Sequence, residues 1–149
     1  MRIELIHPLL VHFPIALLTI GVLLRGLAIF YRSQLLKTSW IILGIGVFFA
    51  WMAVLAGEFA ADIVGPTLCD QFVLHTHKTF AYNTAWFFSG ALALDWGRIL
   101  RPRLGQYKTL SLLCFLLYLG GLCTLLYAGA LGAGMVYDQG AGVESKCQK

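Results

Sequence analysis

Charge is what this chain has least of. Only 12% of its 149 residues are Asp, Glu, Lys or Arg, and 59% are hydrophobic, whereas an ordinary soluble domain carries about 25% charged residues. That shortage excludes a soluble globular protein and points to an integral membrane one. The apolar stretches also lack the two-residue alternation of lipid-facing strands, which excludes a barrel and leaves helices. No G-x-S-x-G, phosphate loop, zincin motif or dinucleotide fingerprint occurs, so no standard catalytic constellation is present. No low-complexity tract, soluble domain or internal repeat stands out. Without an inverted repeat or a pair of Gly/Pro-broken helices at the midplane, small-molecule transport has nothing to recommend it.

What is present is four apolar runs, near residues 8–31, 38–63, 76–96 and 110–136, each close to or above the ~20 residues that cross a hydrocarbon core as helix. The expected fold is all-α, a single domain over residues 1–149 forming a four-helix up-down bundle in the membrane. The first run is not expected to be cleaved as a signal peptide, because its basic residues follow the apolar segment and its length exceeds a signal h-region.

Orientation follows from the charges. Arg25, Arg32 and Lys37 lie between the first two runs or at the end of the first, and Arg98, Arg101, Arg103 and Lys108 between the last two. Asp95 is the sole acid near those basic residues, and the opposite side holds Glu4, Glu58, Asp62, Asp70, Asp138 and Glu144 against Arg2, Lys78, Lys146 and Lys149. By the positive-inside rule the basic connections face the cytoplasm and both termini the periplasm, in a bacterial inner membrane. The net charge of +4 is then mostly topology, so no nucleic-acid partner is inferred from it.

Four cysteines are present. Cys114 and Cys123 fall inside the fourth run, where a small buried hydrophobe is the ordinary role. Cys69 and Cys147 fall on the oxidising side and are a candidate disulfide.

All four histidines, His7, His12, His75 and His77, cluster at the outer ends of the first and third runs. Pro8 suits a first helical turn, and Pro14 removes the N–H that would bond to the Leu10 carbonyl, so an irregular, polar-tolerant entrance is expected around His12. Helical spacing aligns His12 with Ala16, Thr19, Leu23 and Gly26, and His77 with Ala81, Thr84, Phe88, Ala91 and Asp95. Both stripes are mostly small, as helix-packing faces in membranes tend to be. The first and third helices of an up-down bundle run in the same direction, so His12 and His77 are expected to face each other across the core. Two opposed imidazoles suit the axial positions of a b-type haem, with Phe13, Phe80, Tyr82 and Trp86 as aromatic packing and His75 and His7 as the neighbouring candidates. A small zinc or copper site built from His75, His77, His7, Glu58 and Asp62 is a weaker alternative, and histidines with purely structural hydrogen bonds are another. Quinone contact near His77 or Asn83 is left open by the spacing. Glu58 and Asp62, one helical turn apart, read as a solvated helix end or a proton relay.

The segments "HPLLVHFPIALL", "LAGEFAADIV", the histidine opening the third run and "GALGAGMVYDQGAGV" resemble a bacterial family of small four-helix membrane proteins known only as a domain of unknown function. The resemblance covers essentially the whole chain. Its motif positions here are His7, Pro8, His12, Pro14, Gly57, Glu58, Ala60, His77, Gly129, Gly132, Val136, Tyr137 and Gly140. Ala130 and Gln139 depart from it, standing where some relatives resemble histidine or tyrosine. Relatives fused to c-type cytochrome or Rieske modules imply membrane electron transfer. The resulting expectation is a haem-binding subunit linking quinol to a periplasmic c-type cytochrome or iron–sulfur partner. The competing expectation is a cofactor-free structural subunit packed in a larger membrane complex.

Overall fold

A computed structural model describes residues 3–28, 34–101 and 108–143. Helices account for almost all of them: α1 (Ile6–Leu10), α2 (His12–Leu27), α3 (Gln34–Val64), α4 (Gln71–Leu100) and α5 (Lys108–Tyr137). No strand occurs among the described residues. Three segments are long and apolar enough to cross a membrane, Ile6–Leu27, Leu35–Thr67 and Lys108–Tyr137. At 30 residues α4 has the length, about 45 Å at the helical rise, but a more polar composition.

The proline-rich entrance takes the form of a one-residue interruption. Val11 separates α1 from α2 yet keeps right-handed helical angles, φ −63° and ψ −23°. Its N–H bonds to the His7 carbonyl at 3.1 Å, and its own carbonyl accepts from Ile15 at 3.2 Å. Pro14 therefore sits in the first turn of a new helix, where a missing N–H costs little. The phase of the helix carries through, so α1 and α2 act as one segment.

Elsewhere the ends are set by local chemistry. Asp70 caps α4 by accepting a hydrogen bond from the Phe72 N–H at 2.8 Å, the usual role of a short acidic side chain at that position. The Gln139 side chain accepts from the Asp70 N–H at 3.0 Å, tying the end of α5 to the start of α4. α5 closes with Gly140 at φ 73°, its N–H bonded to the Val136 carbonyl at 3.1 Å. Any other residue type would be strained in that left-handed cap.

Consecutive helices pack antiparallel, and the core is built of two matching halves. In the α2–α3 hairpin Leu18 lies over Gly46, and in the α4–α5 hairpin Phe88 lies over Gly121. A Cβ on either glycine would come within 2.6 and 2.8 Å of those side chains. Leu18 and Phe88 are seventy positions apart, as are Pro14 and Thr84, Gly21 and Ala91, and Arg25 and Asp95, all buried. On the second helix of each hairpin the offset is seventy-five: Ser39 and Cys114, Leu43 and Tyr118, Gly46 and Gly121, Ala50 and Leu125, Ala53 and Ala128, Ala60 and Met135, again all buried. Buried positions therefore recur in the two hairpins at matching offsets, carried by core-facing positions with few identical residues. Two pairs at the seventy-residue offset meet across the bundle, His7 with His77 and Arg25 with Asp95.

Around this core runs a belt of exposed apolar side chains, among them Leu23, Ile41, Phe48, Leu55, Leu116 and Leu126. The interior mixes large side chains such as Phe88 and Tyr118 with glycines and alanines that let the helices approach, and the apolar outer belt suits lipid.

Candidate functional site

His7 projects from α1, and its Nδ1–H donates to the Ala53 carbonyl on α3 at 2.8 Å. His77 projects from α4, and its Nδ1–H donates to the Ala128 carbonyl on α5 at 2.8 Å. A carbonyl only accepts, so each Nδ1 carries a proton, which in the neutral ring leaves the lone pair on Nε2. Both carbonyls lie inside helices and use the second acceptor position that a carbonyl oxygen retains there.

Close approach of the rings to helix backbone requires a glycine one turn beyond each carbonyl. A Cβ on Gly57 would stand 2.9 Å from His7 Cε1 and 3.0 Å from its Nδ1, and one on Gly132 would stand 3.3 Å from His77 Cε1. The two seats, Ala53-x-x-x-Gly57 and Ala128-x-x-x-Gly132, are the same device used twice. The ring centroids lie 6.1 Å apart with planes at 88°. Beside them Lys78 Nζ and Glu58 Oε2 form a half-exposed ion pair at 2.6 Å, and Phe80 packs against Tyr127 with centroids 4.5 Å apart.

His12 does not occupy the expected place. Its ring is exposed and its Nδ1–H donates to the Pro8 carbonyl at 2.7 Å, within its own helix. The buried stripe of the first segment runs through Pro14, Leu18, Gly21, Val22 and Arg25, which is the His7 line and not the His12 line. Ala16 and Leu23, expected in the interior with His12, are exposed. The expected stripe of His77 is observed, with Thr84, Phe88, Ala91 and Asp95 buried. His75 is exposed. Phe13 stacks on Phe49 at 4.7 Å and is half-exposed, while Trp86 meets Trp51 at 5.0 Å and Tyr82 meets Trp51 at 6.4 Å, away from the imidazole pair. Cys69 is disulfide-bonded; Cys147, its expected partner, lies outside the described residues. Cys114 and Cys123 are free. No group of three or more His, Cys, Asp or Glu gathers as a metal cage among the described residues.

At the other end of the bundle is a cluster that sequence reasoning missed. Arg25 makes a bidentate contact with Asp95, Nε to Oδ2 at 3.0 Å and Nη2 to Oδ1 at 3.1 Å. Arg98 adds a 2.7 Å contact from the same helix as Asp95. Asp95 is fully buried and Arg25 is 4% exposed. Asp95 falls on the interior stripe of His77, so the signal was available: a buried carboxylate needs a buried cation, and Arg25 is the candidate at the matching depth. Counting back five turns from Arg25 selects His7.

Residues 4–145 match the family described as a predicted membrane protein, DUF2231. The chain belongs to this family. No curated protein matches it, and no solved structure does. The DUF2231 match supports a helical membrane protein and assigns no activity, cofactor or partner. Several positions of the opening and closing motifs acquire physical roles here. His7 and His77 form the central pair, Gly57 and Gly132 seat it, and Gly140 caps α5.

Proposed function

We propose that the protein is a small membrane electron-transfer subunit in which His7 and His77, and not His12, would hold a b-type haem. The observation that carries this reading is the paired, backbone-anchored imidazoles of α1 and α4. Metal-bound histidines characteristically donate their other ring N–H to a carbonyl or carboxylate, which fixes the tautomer and frees the ligating nitrogen. His7 and His77 both have that arrangement. The two ring centroids lie 6.1 Å apart, which brings both imidazoles to one locus.

When bound, such a haem supplies one-electron transfer. The chain's own contribution is to hold both half-buried imidazoles oriented through the Ala53 carbonyl of α3 and the Ala128 carbonyl of α5. On this reading the histidine end faces the periplasm of a bacterial inner membrane with both termini outside. Support comes from the basic residues gathered at the opposite end, Arg25, Lys37, Arg98, Arg101 and Lys108. Quinol in the membrane is then the donor and a periplasmic c-type cytochrome or iron–sulfur protein the acceptor. A reduced-minus-oxidised absorbance spectrum of the purified protein tests the reading. A haem b signal is expected, and a flat spectrum from protein made in haem-replete cells rejects it. Direct contact between the two rings favours the rival reading, a cofactor-free structural subunit, which predicts that flat spectrum.

A further inference from the structure

We infer that the buried Arg25–Asp95 pair is a positioning device for the imidazole pair at the far end of the bundle. His7 and Arg25 are eighteen positions apart, and so are His77 and Asp95. Eighteen residues at 3.6 per turn is five whole turns, about 27 Å. Each histidine therefore lies on the same face of its helical segment as the charge beneath it. The α1–α2 segment and α4 are parallel and touch through two polar contacts, ring to ring at one end and guanidinium to carboxylate at the other. Fixing rotation and height at the charged end fixes both at the histidine end.

A bidentate Arg–carboxylate contact is suited to this, because two parallel N–H···O bonds specify angle as well as distance. Apolar contact in between, through Leu18, Val22, Phe88 and Ala91, is non-directional and specifies angle less sharply than a two-pronged ion pair. Buried ion pairs add little net stability over apolar replacements, and their best-attested use is to select one register. The matching burial of the two hairpins adds a second reason: similar apolar faces discriminate weakly between registers, and Arg25 and Asp95 are a matched position at which the halves differ in charge sign. Only the register that pairs them gives the buried Arg25 guanidinium a carboxylate; Asp95 keeps Arg98 of its own helix in any register. Slipping α2 by one residue relative to α4 turns its inward face by 100° and carries His7 away from His77.

This concerns the same imidazoles as the electron-transfer reading but does not need the cofactor, and its test reads geometry alone. In a chain with Cys114→Ala and Cys123→Ala, the pair His7→Cys and His77→Cys is joined by a short thiol-specific bifunctional reagent in lipid. Linked peptide is quantified by mass spectrometry. A second chain carries Thr84→Cys and Thr124→Cys instead, positions whose native hydroxyls are 2.9 Å apart within one hairpin. Asp95→Arg is expected to lower linkage at 7/77 about tenfold and leave 84/124 unchanged. The exchange Arg25→Asp with Asp95→Arg is expected to restore 7/77, since the carboxylate introduced at position 25 again faces cations at 95 and 98. Undiminished 7/77 linkage in Asp95→Arg overturns the inference. So does an equal fall at both pairs, which would make the ion pair a general stabiliser, or a failure of the exchange to restore linkage.

Discussion

Gly57→Ala probes the seat of the imidazole pair. The added methyl carbon would lie 2.9 Å from His7 Cε1 and 3.0 Å from Nδ1, well inside the 3.5–4.0 Å at which carbon atoms attract. The ring cannot simply withdraw, because its 2.8 Å bond to the Ala53 carbonyl holds it to the same helix one turn away. Either the helices part or the bond is lost. Overpacking of this size costs about 1–3 kcal/mol, and a broken hydrogen bond adds about 1 kcal/mol. Alanine returns about 0.5–1 kcal/mol through its better helix propensity. The net expectation is a loss of about 1–3 kcal/mol, the sum of these terms. Gly132→Ala, with its contact at 3.3 Å, should cost less, and Gly90→Ala, which meets nothing within 4 Å, should be neutral or stabilising. Thermal unfolding in detergent ranks the three. A double-mutant cycle with His7→Ala supplies the sharper reading: removing the ring should erase most of the Gly57→Ala penalty. If Gly57→Ala behaves like Gly90→Ala, or if its cost survives in the His7→Ala background, the proposed seat is wrong.

Other variants separate the two ends of the bundle from its surface. Asp95→Ala leaves Arg25 without its carboxylate inside the bundle and should cost about 3–5 kcal/mol, read as a fall in thermal midpoint. Arg25→Leu together with Asp95→Leu should recover most of that loss. His12→Ala removes only an exposed ring bonded within its own helix and should change stability by less than about 0.5 kcal/mol. Cys69→Ser removes a disulfide and should cost about 2–4 kcal/mol; wild-type protein unfolded with and without a reducing agent should show the same difference.

The helical bundle was legible because apolar runs of membrane-spanning length dominate the composition, and the His77 stripe was legible because α4 is one uninterrupted helix. The first segment misled for a physical reason. Its stripes through His7 and His12 are both apolar and differ by a rotation that hydropathy cannot resolve in lipid, where outward faces are as greasy as inward ones. Chemistry resolves it: Arg25 must meet Asp95, and that choice turns His7 inward and leaves His12 on the outside. Gly57 and Gly132 stood in the family motif with no assigned reason, since a glycine's purpose is visible only once a ring is seen lying against it. The matching burial of the two hairpins was hidden for a related cause. Leu18 against Phe88 and Leu43 against Tyr118 preserve position and burial while the residue types differ.

The central claim is that His7 and His77 together form a ligand pair and His12 takes no part. Reduced-minus-oxidised spectra of wild type, His7→Ala, His77→Ala and His12→Ala, each purified from haem-replete cells, test it most directly. The account predicts a haem b signal in wild type and His12→Ala and its loss in both His7→Ala and His77→Ala. A signal that depends on His12, or one that persists without His7, would contradict it.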